Sequence, residues 1–534
     1  MVTFARSIGV ALAAALCTTW TSEAATPRRH LQRSLGDVVA VEGGVIRGAR
    51  EGAALAFRAI PFAAPPLGEN RWRPPAPVEP WAGVRDATAF GPRCPQFDDD
   101  ANPVGGEDCL QLNLWAPTGA STGSRLPVLF FIHGGGHVKG SASQRAGDGT
   151  YLYDGGNLAA RAGAVVVTAQ YRLGPLGFVA HPAFAAESPE GVAGNYGTLD
   201  LVAALEWVER NVARFGGDPS RVMIFGESAG AVETCMLLVS PRAAGLFSAA
   251  LMQSGGCVAN GAVKAAQVAE DLASATGCAA SADTAGCLRA IPAWDLLRAL
   301  PMDVSTITRQ TGYQPNVDGV VIPDAPLDVI ASGRHNRVPL VVGANADETA
   351  RESVAIVTEA QYREAVLALA GGSQLLADVI LDRYPVAEYG GSPRLAFTAL
   401  TSDVSFICPA RKTARAALGG QAHPVYRYFF THPWSNGGVL LEALGAFHGI
   451  ELAHVFDHLT IEGYRPTAGE LALRDAIVAS WRALAATGSP SPAEGPIWPP
   501  AEAGADPYLD LGVPIEAGEG VRTAQCDFWE SLAP

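Results

Sequence analysis

VMIFGESAGAVETCMLL, residues 222–238, begins as an apolar run, ends as a run of good helix formers, and holds Gly226-Glu227-Ser228-Ala229-Gly230 between them. G-x-S-x-G is the pattern of a serine carried on a sharp strand-to-helix turn, and its meaning depends on what flanks it. A second stretch, Gly119-Ala120-Ser121-Thr122-Gly123, fits the same five positions. Ser121 lies in the polar segment PTGASTGSR, with a strand signal only afterwards, so its glycines read as loop glycines. Ser228 follows a strand signal and opens a helix signal that stops before Pro241, so Ser228 is the candidate nucleophile.

Outward from this stretch, strand and helix signals alternate. LPVLFFIH (126–133) and AVVVTAQY (164–171) are short, almost continuous apolar runs, as expected of strands covered on both faces. Leu201, Leu205, Val208, Val212 and Phe215 recur at helical spacing and predict an amphipathic helix ended by Gly216-Gly217-Asp218-Pro219. Residues 221–225, 249–253, 338–342 and 425–430 are further strand candidates. Such alternation predicts an α/β fold with a mostly parallel sheet and helices on both faces.

Composition sets the class. Of 534 residues, 48% are hydrophobic and 17% charged, which suits a globular core. The net charge of −15, without a Lys/Arg cluster, argues against nucleic acid and against anionic membrane surfaces as partners. Pro/Gly-rich segments at 63–77 and 489–500 have ordered apolar patterns on both sides, so they are loops rather than interdomain linkers. The N-terminus, with Arg6, an apolar run over 8–17 and small residues near 22–25, predicts a signal peptide over 1–25, followed by one domain over 26–534. The apolar run is too short to span a bilayer well, so no stable membrane anchor is expected. Beyond Cys17 there remain eight cysteines, an even number that suggests disulfides in an exported chain without specifying their pairing.

A serine hydroxyl needs a base to take its proton, a carboxylate to orient that base, and donors for the oxyanion that forms on attack. His133-Gly134-Gly135-Gly136 directly follows the strand signal at 126–132. Glycines there let the backbone approach a substrate unobstructed, so the N–H groups of Gly135 and Gly136, with that of Ala229, are the candidate oxyanion donors.

With HGGG, YRLGPLGF (171–178), GNYGTLD (194–200), FGGDPSRVMIFGESAG (215–230) and LMQSGG (251–256), the chain resembles the type-B carboxylesterase family of the α/β-hydrolases, which includes cholinesterases and some fungal lipases. RAIPFAAPPLGENRWRPP, GEDCLQLNLWAP (106–117) and FWESL extend the resemblance over nearly the whole mature chain. It implies an α/β-hydrolase fold with a helical cap region and ester hydrolysis without metal or cofactor, on small-molecule substrates. Along the chain the family's triad runs Ser, Glu, His. Within VPLVVGANADETA this falls on Glu348, with Asp347 as its neighbour, and within GAFHGIELAHVF on His448. His454 then reads as a structural helix residue, and His432 and His458 as weaker candidates for the base.

The resemblance further implies that Glu227 lines the gorge near the histidine and that Ser254 supports the acid by a hydrogen bond. It implies disulfides Cys94–Cys109, Cys278–Cys287 and Cys408–Cys526, leaving Cys235 and Cys257 as buried thiols or a fourth bridge. The chain departs from the family in two places. CPQFDDDANPVGGEDC is a short loop without the tryptophan that receives choline in cholinesterases, so choline esters are disfavoured. His137 stands where many relatives carry an aromatic residue. The expectation is a secreted serine esterase, extracellular or periplasmic. A lipase acting on acylglycerols and a catalytically inactive, neuroligin-like binding protein are the alternatives. Oligomeric state does not follow from these motifs.

Overall fold

The computed structural model describes residues 35–301, 307, 312–502 and 504–532, so the signal peptide expected over 1–25 lies outside the described residues. One sheet of eleven strands organises the chain. In chain order these are β1 (Ala49–Glu51), β2 (Ala54–Pro61), β3 (Gln111–Pro117), β4 (Leu126–Ile132), β5 (Val165–Ala169) and β6 (Gly217–Glu227). They continue with β7 (Ala249–Gln253), β8 (Leu340–Asn345), β9 (Val425–Phe430), β10 (Pro507–Leu511) and β11 (Glu516–Glu519). Their spatial order is β11-β10-β9-β8-β7-β6-β4-β5-β3-β2-β1. From β4 to β10 the strands are parallel, while β1 to β3 and β11 add antiparallel at the two edges.

The apolar runs follow from what covers the sheet. In β4, Val128, Phe130 and Ile132 enter one core while Leu129 and Phe131 enter the other, as alternate side chains of a strand must. The first core is closed by α-helices Tyr196–Asn211, Ala229–Val239 and Cys408–Gly420, through residues such as Leu205, Trp207, Met236 and Ala414. The second is closed by Gly156–Ala162 and Ala468–Thr487, through Leu158, Leu473, Ile477 and Trp481. Burying each large side chain here contributes about 1.5–3 kcal/mol, so both faces have to be apolar. The outcome is the mixed sheet, mostly parallel and with helices on both faces, that the sequence pattern predicts.

Two boundaries differ from the sequence reading. The helix predicted through Phe215 is α-helical only to Asn211 and tightens into a 3₁₀ turn over Val212–Phe215. Gly217, read as part of the terminator, already begins β6, because its backbone pairs with Leu126. A helical subdomain, Glu359–Leu369, Gln374–Arg383 and Pro393–Ser402, packs around its own core of Tyr362, Val366, Ile380, Tyr384 and Phe397. Among the described residues, four disulfides close the structure: Cys94–Cys109, Cys235–Cys257, Cys278–Cys287 and Cys408–Cys526. The second settles the pair that sequence left open. Among the described residues, no helix is long and apolar enough to cross a membrane.

Candidate active site

The carboxyl ends of β4, β6 and β8 deliver three loops to one cavity of about 740 Å³. In open parallel sheets this is where ligands bind, because the connections leaving those ends diverge. Ser228 stands between β6 and the helix Ala229–Val239 at φ 59°, ψ −122°. A non-glycine residue with positive φ is strained, and the turn is held by neighbours. Ser228 N donates to Gln253 O of β7 at 2.9 Å. Gly230 has no room for a side chain, because a Cβ there would lie 2.0 Å from Ile132 O. The helix therefore starts hard against β4, with Ser228 at its positive end.

The loop after β4 reaches the same cavity through Gly134, Gly135 and Gly136. Gly135 adopts φ 109°, and a Cβ on it would lie 2.1 Å from Lys139 O, so only glycine closes this turn. Among the described residues, the N–H groups of Gly135 and Gly136 donate to no backbone acceptor. Ala229, as the first residue of its helix, has an N–H without an intrahelical partner.

Glu348 and His448 meet from loops after β8 and β9. His448 Nδ1 lies 2.6 Å from Glu348 Oε2, and His448 N donates to Glu348 O at 3.2 Å. The other carboxylate oxygen of Glu348 accepts from Asn345 N at 2.8 Å. Asp347 sutures the same two loops, since its Oδ2 accepts from Ala446 N at 3.0 Å. Phe406 lies in a π-helical turn, Asp403–Ile407, beyond the helical subdomain, and packs on the His448 ring with centroids 4.7 Å apart. On its other edge, His448 Nε2 is 3.1 Å from Glu227 Oε1, yet neither atom has an aligned hydrogen-bond partner. The contact is therefore electrostatic, and Nε2 keeps its hydrogen-bonding capacity.

The electrostatics follow from burial. Desolvation alone would keep the His448 ring neutral, but the charges of Glu227 and Glu348 and the bond to Glu348 outweigh it and carry its pKa up to about 9. Glu227 is pushed above the usual carboxylate range by desolvation, against the pull of His448 and with the charge of Glu348 adding to it. Glu451 is pushed up as well, by desolvation and then by the charge of Glu227, with a hydrogen bond from Asn345 opposing. Buried carboxyls this close together resist ionising at the same time.

The remaining sequence-predicted residues find definite places. Ser121 lies in a turn against Ser124, its hydroxyl 3.0 Å from that of Ser124 and outside the cavity lining. His454 is fully buried on the short helix Leu452–Val455, edge-on to Phe430. His432 contacts Glu470 at 3.1 Å, and His458 Nε2 contacts Asp154 O at 3.0 Å. The expected bond from Ser254 to the acid is not formed. The Ser254 hydroxyl is buried without a partner, while its N–H donates to Gly343 O at 2.9 Å. The backbone of Asn345 takes the place expected of Ser254, because the turn after β8 folds Glu348 back onto its own strand.

Asn345 was not singled out from sequence. Its side chain also donates to Phe447 O at 3.0 Å and to Glu451 Oε2 at 2.6 Å. A polar residue ending an apolar strand is the only signal that could have drawn attention to it. Among the described residues, no group of His, Cys, Asp and Glu is arranged to hold a metal ion.

A serine on a sharp strand-to-helix turn, a glycine loop and a histidine–carboxylate pair at the carboxyl ends of a mostly parallel sheet define an α/β-hydrolase. The chain belongs to the carboxylesterase family, whose description matches residues 36–529, and is a carboxylic ester hydrolase. It is 36% identical over 499 residues to fumonisin B1 esterase of Sphingopyxis macrogoltabida, covering 90% of this chain and 87% of that one. It is 34% identical over 553 residues to cocaine esterase of Homo sapiens, covering 96% and 92% of the two chains. It is also 34% identical over 510 residues to pyrethroid hydrolase Ces2e of Rattus norvegicus, covering 90% and 85%.

Proposed function

We propose that this chain is a secreted serine esterase that cleaves small-molecule carboxylic esters by two-step acyl transfer on Ser228. His448 takes the Ser228 proton through Nε2 as the hydroxyl attacks the ester carbonyl, and Glu348 holds the ring by Nδ1 and balances the imidazolium. The N–H groups of Gly135, Gly136 and Ala229 receive the oxyanion. His448 then protonates the leaving alcohol. In the second step it activates the water that releases the acid and frees Ser228.

The observation that carries this reading is the 2.6 Å contact of His448 Nδ1 with Glu348, which leaves Nε2 without an aligned hydrogen-bond partner at the cavity that Ser228 lines. In an unliganded site the Ser–His bond is often unformed and tightens with substrate. Relatives named as a fumonisin B1 esterase, a cocaine esterase and a pyrethroid hydrolase support small-molecule esters of diverse shape as the substrate class. Four disulfides and the leader-like residues 1–25 support export, with a single catalytic domain over 26–534.

The Cys94–Cys109 loop favours an esterase over a lipase. It forms a two-stranded hairpin, Gln96–Phe97 with Pro103–Val104, whose tip carries Asp98, Asp99 and Asp100 rather than an apolar lid. An organophosphate is expected to label Ser228 and stop hydrolysis of short-chain esters, which are expected to turn over faster than emulsified triglyceride. Labelling at another residue, or undiminished hydrolysis in Ser228→Ala, would overturn the assignment.

A further inference from the structure

The peptide group that joins Lys139 to Gly140 packs directly against the glycines of the candidate oxyanion loop. A Cβ on Gly135 would lie 2.1 Å from Lys139 O, and a Cβ on Gly140 would lie 2.2 Å from Gly134 O. Gly135 O accepts from Val138 N at 3.2 Å and from Lys139 N at 3.0 Å, which closes residues 135–139 into a tight turn. Gly140 ends that turn at φ 100°. With backbone in contact on this scale, a shift of Gly140 is passed on to Gly134 and Gly135.

What fixes Gly140 comes from a distant part of the chain. Gln96 stands on the hairpin inside the Cys94–Cys109 loop, and its carboxamide meets both polar groups of Gly140. Gln96 Nε2 donates to Gly140 O at 2.8 Å, and Gln96 Oε1 accepts from Gly140 N at 2.9 Å. The side chain thus exchanges two bonds with Gly140, as a residue of a neighbouring strand would. The second hydrogen on Nε2 goes to Cys94 O at 3.0 Å. Two carbonyls on the nitrogen and one N–H on the oxygen leave the amide a single orientation that satisfies every partner. Gln96 is 2% exposed, and Cys94, two positions before it, is bonded to Cys109. An ion pair of Lys139 with Asp99, 2.9 Å apart, also links hairpin and turn, but it is exposed and contributes little.

We infer that Gln96 is a positioning residue for the oxyanion site. It fixes Gly140, and through Gly140 the turn from which the N–H groups of Gly135 and Gly136 project. The inference rests on the reading of those two groups as oxyanion donors. Donors stabilise a developing charge best when their directions are set before the reaction begins, and a displacement of about 1 Å can cost about 10²-fold in rate. Without the amide, both polar groups of Gly140 lose their partner, and the turn loses the contact that sets its position.

The test measures hydrolysis of 4-nitrophenyl butanoate together with inhibition by an alkyl trifluoromethyl ketone. Ser228 Oγ adds to the ketone carbon, the C=O π pair becomes an oxyanion, and the serine proton passes to His448. No leaving group departs, so the adduct persists as a mimic of the tetrahedral intermediate. In Gln96→Met, kcat is expected to fall about 10–10²-fold with KM within about threefold. The inhibition constant of the ketone is expected to rise by the factor that kcat/KM loses. Gln96→Asn withdraws the same amide from Gly140 by one carbon–carbon bond, is expected to show the same split, and serves if the methionine variant fails to fold. Unchanged kcat, or a loss confined to KM, overturns the inference. A fall in kcat with ketone affinity retained also overturns it, since the donors are then still in place. Absence of ester hydrolysis in the wild type would count against the esterase reading instead.

Discussion

Glu227 Oε1 lies 3.1 Å from His448 Nε2, on the opposite edge of the ring from Glu348. The candidate base is therefore flanked by two buried carboxyl groups, of which only one orients it. The second stands on the edge that has to face Ser228.

This arrangement has a pH consequence. Negative charge on Glu227 favours the protonated ring and helps carry the His448 pKa up to about 9, whereas a base has to be neutral to accept the serine proton. Removing that charge lowers the ring pKa, so the neutral form persists to lower pH. In Glu227→Gln the acid limb of the kcat/KM–pH profile is expected to move to lower pH. A limb that stays in place, or moves up, would show that Glu227 does not act on this ring by charge.

Glu348→Gln keeps the shape of the side chain but removes the charge that orients and balances the imidazolium. Loss of kcat by about 10³–10⁴-fold is expected, with KM changed only a few-fold, because the interaction strengthens mainly in the transition state. Steady-state kinetics on a soluble aryl ester checks this, and a loss confined to KM would contradict the assigned role.

Asn345→Ala removes the side-chain bonds to Glu451 and to Phe447 O while leaving the backbone N–H that serves Glu348. A buried carboxyl then loses one of its donors, and Gln253 Nε2, at 3.0 Å, is left as its side-chain donor. Destabilisation of about 1–3 kcal/mol is expected, together with lower kcat from a loosened His448 loop. Thermal unfolding and kcat measured on the same preparation test both effects.

The Cys235–Cys257 bridge ties the helix after Ser228 to the segment that follows β7. Replacing both cysteines by alanine is expected to lower stability by about 2–4 kcal/mol while sparing hydrolysis well below the melting temperature. An unchanged melting temperature would show that the bridge is absent from the folded protein.

Much of the architecture is legible in the chain. LPVLFFIH and AVVVTAQY announce themselves as strands because helices cover both faces of the sheet, which leaves room for a polar side chain only where it is hydrogen-bonded inside, as Thr168 is to Asn113. Ser228 is separable from Ser121 for a related reason, since a nucleophile turn needs a strand before it and a helix after it, and both leave periodic signals. Glu348 and His448 are legible only through their motifs, because the candidate acid and base stand 100 positions apart and no local period links them. Relations across loops belong to tertiary structure. Residue spacing says nothing about whether Ser254 or the backbone of Asn345 bonds the acid, whether Cys235 meets Cys257, or which edge of His448 faces Glu227. Those outcomes depend on how tightly the turn after β8 folds back and how closely the helix at Ser228 packs on β4. The His137–Glu233 pair is of the same kind. Sequence marks His137 as a departure from the family pattern, but only the packing of the glycine loop on the helix after Ser228 places its Nε2 3.1 Å from the buried Oε1 of Glu233.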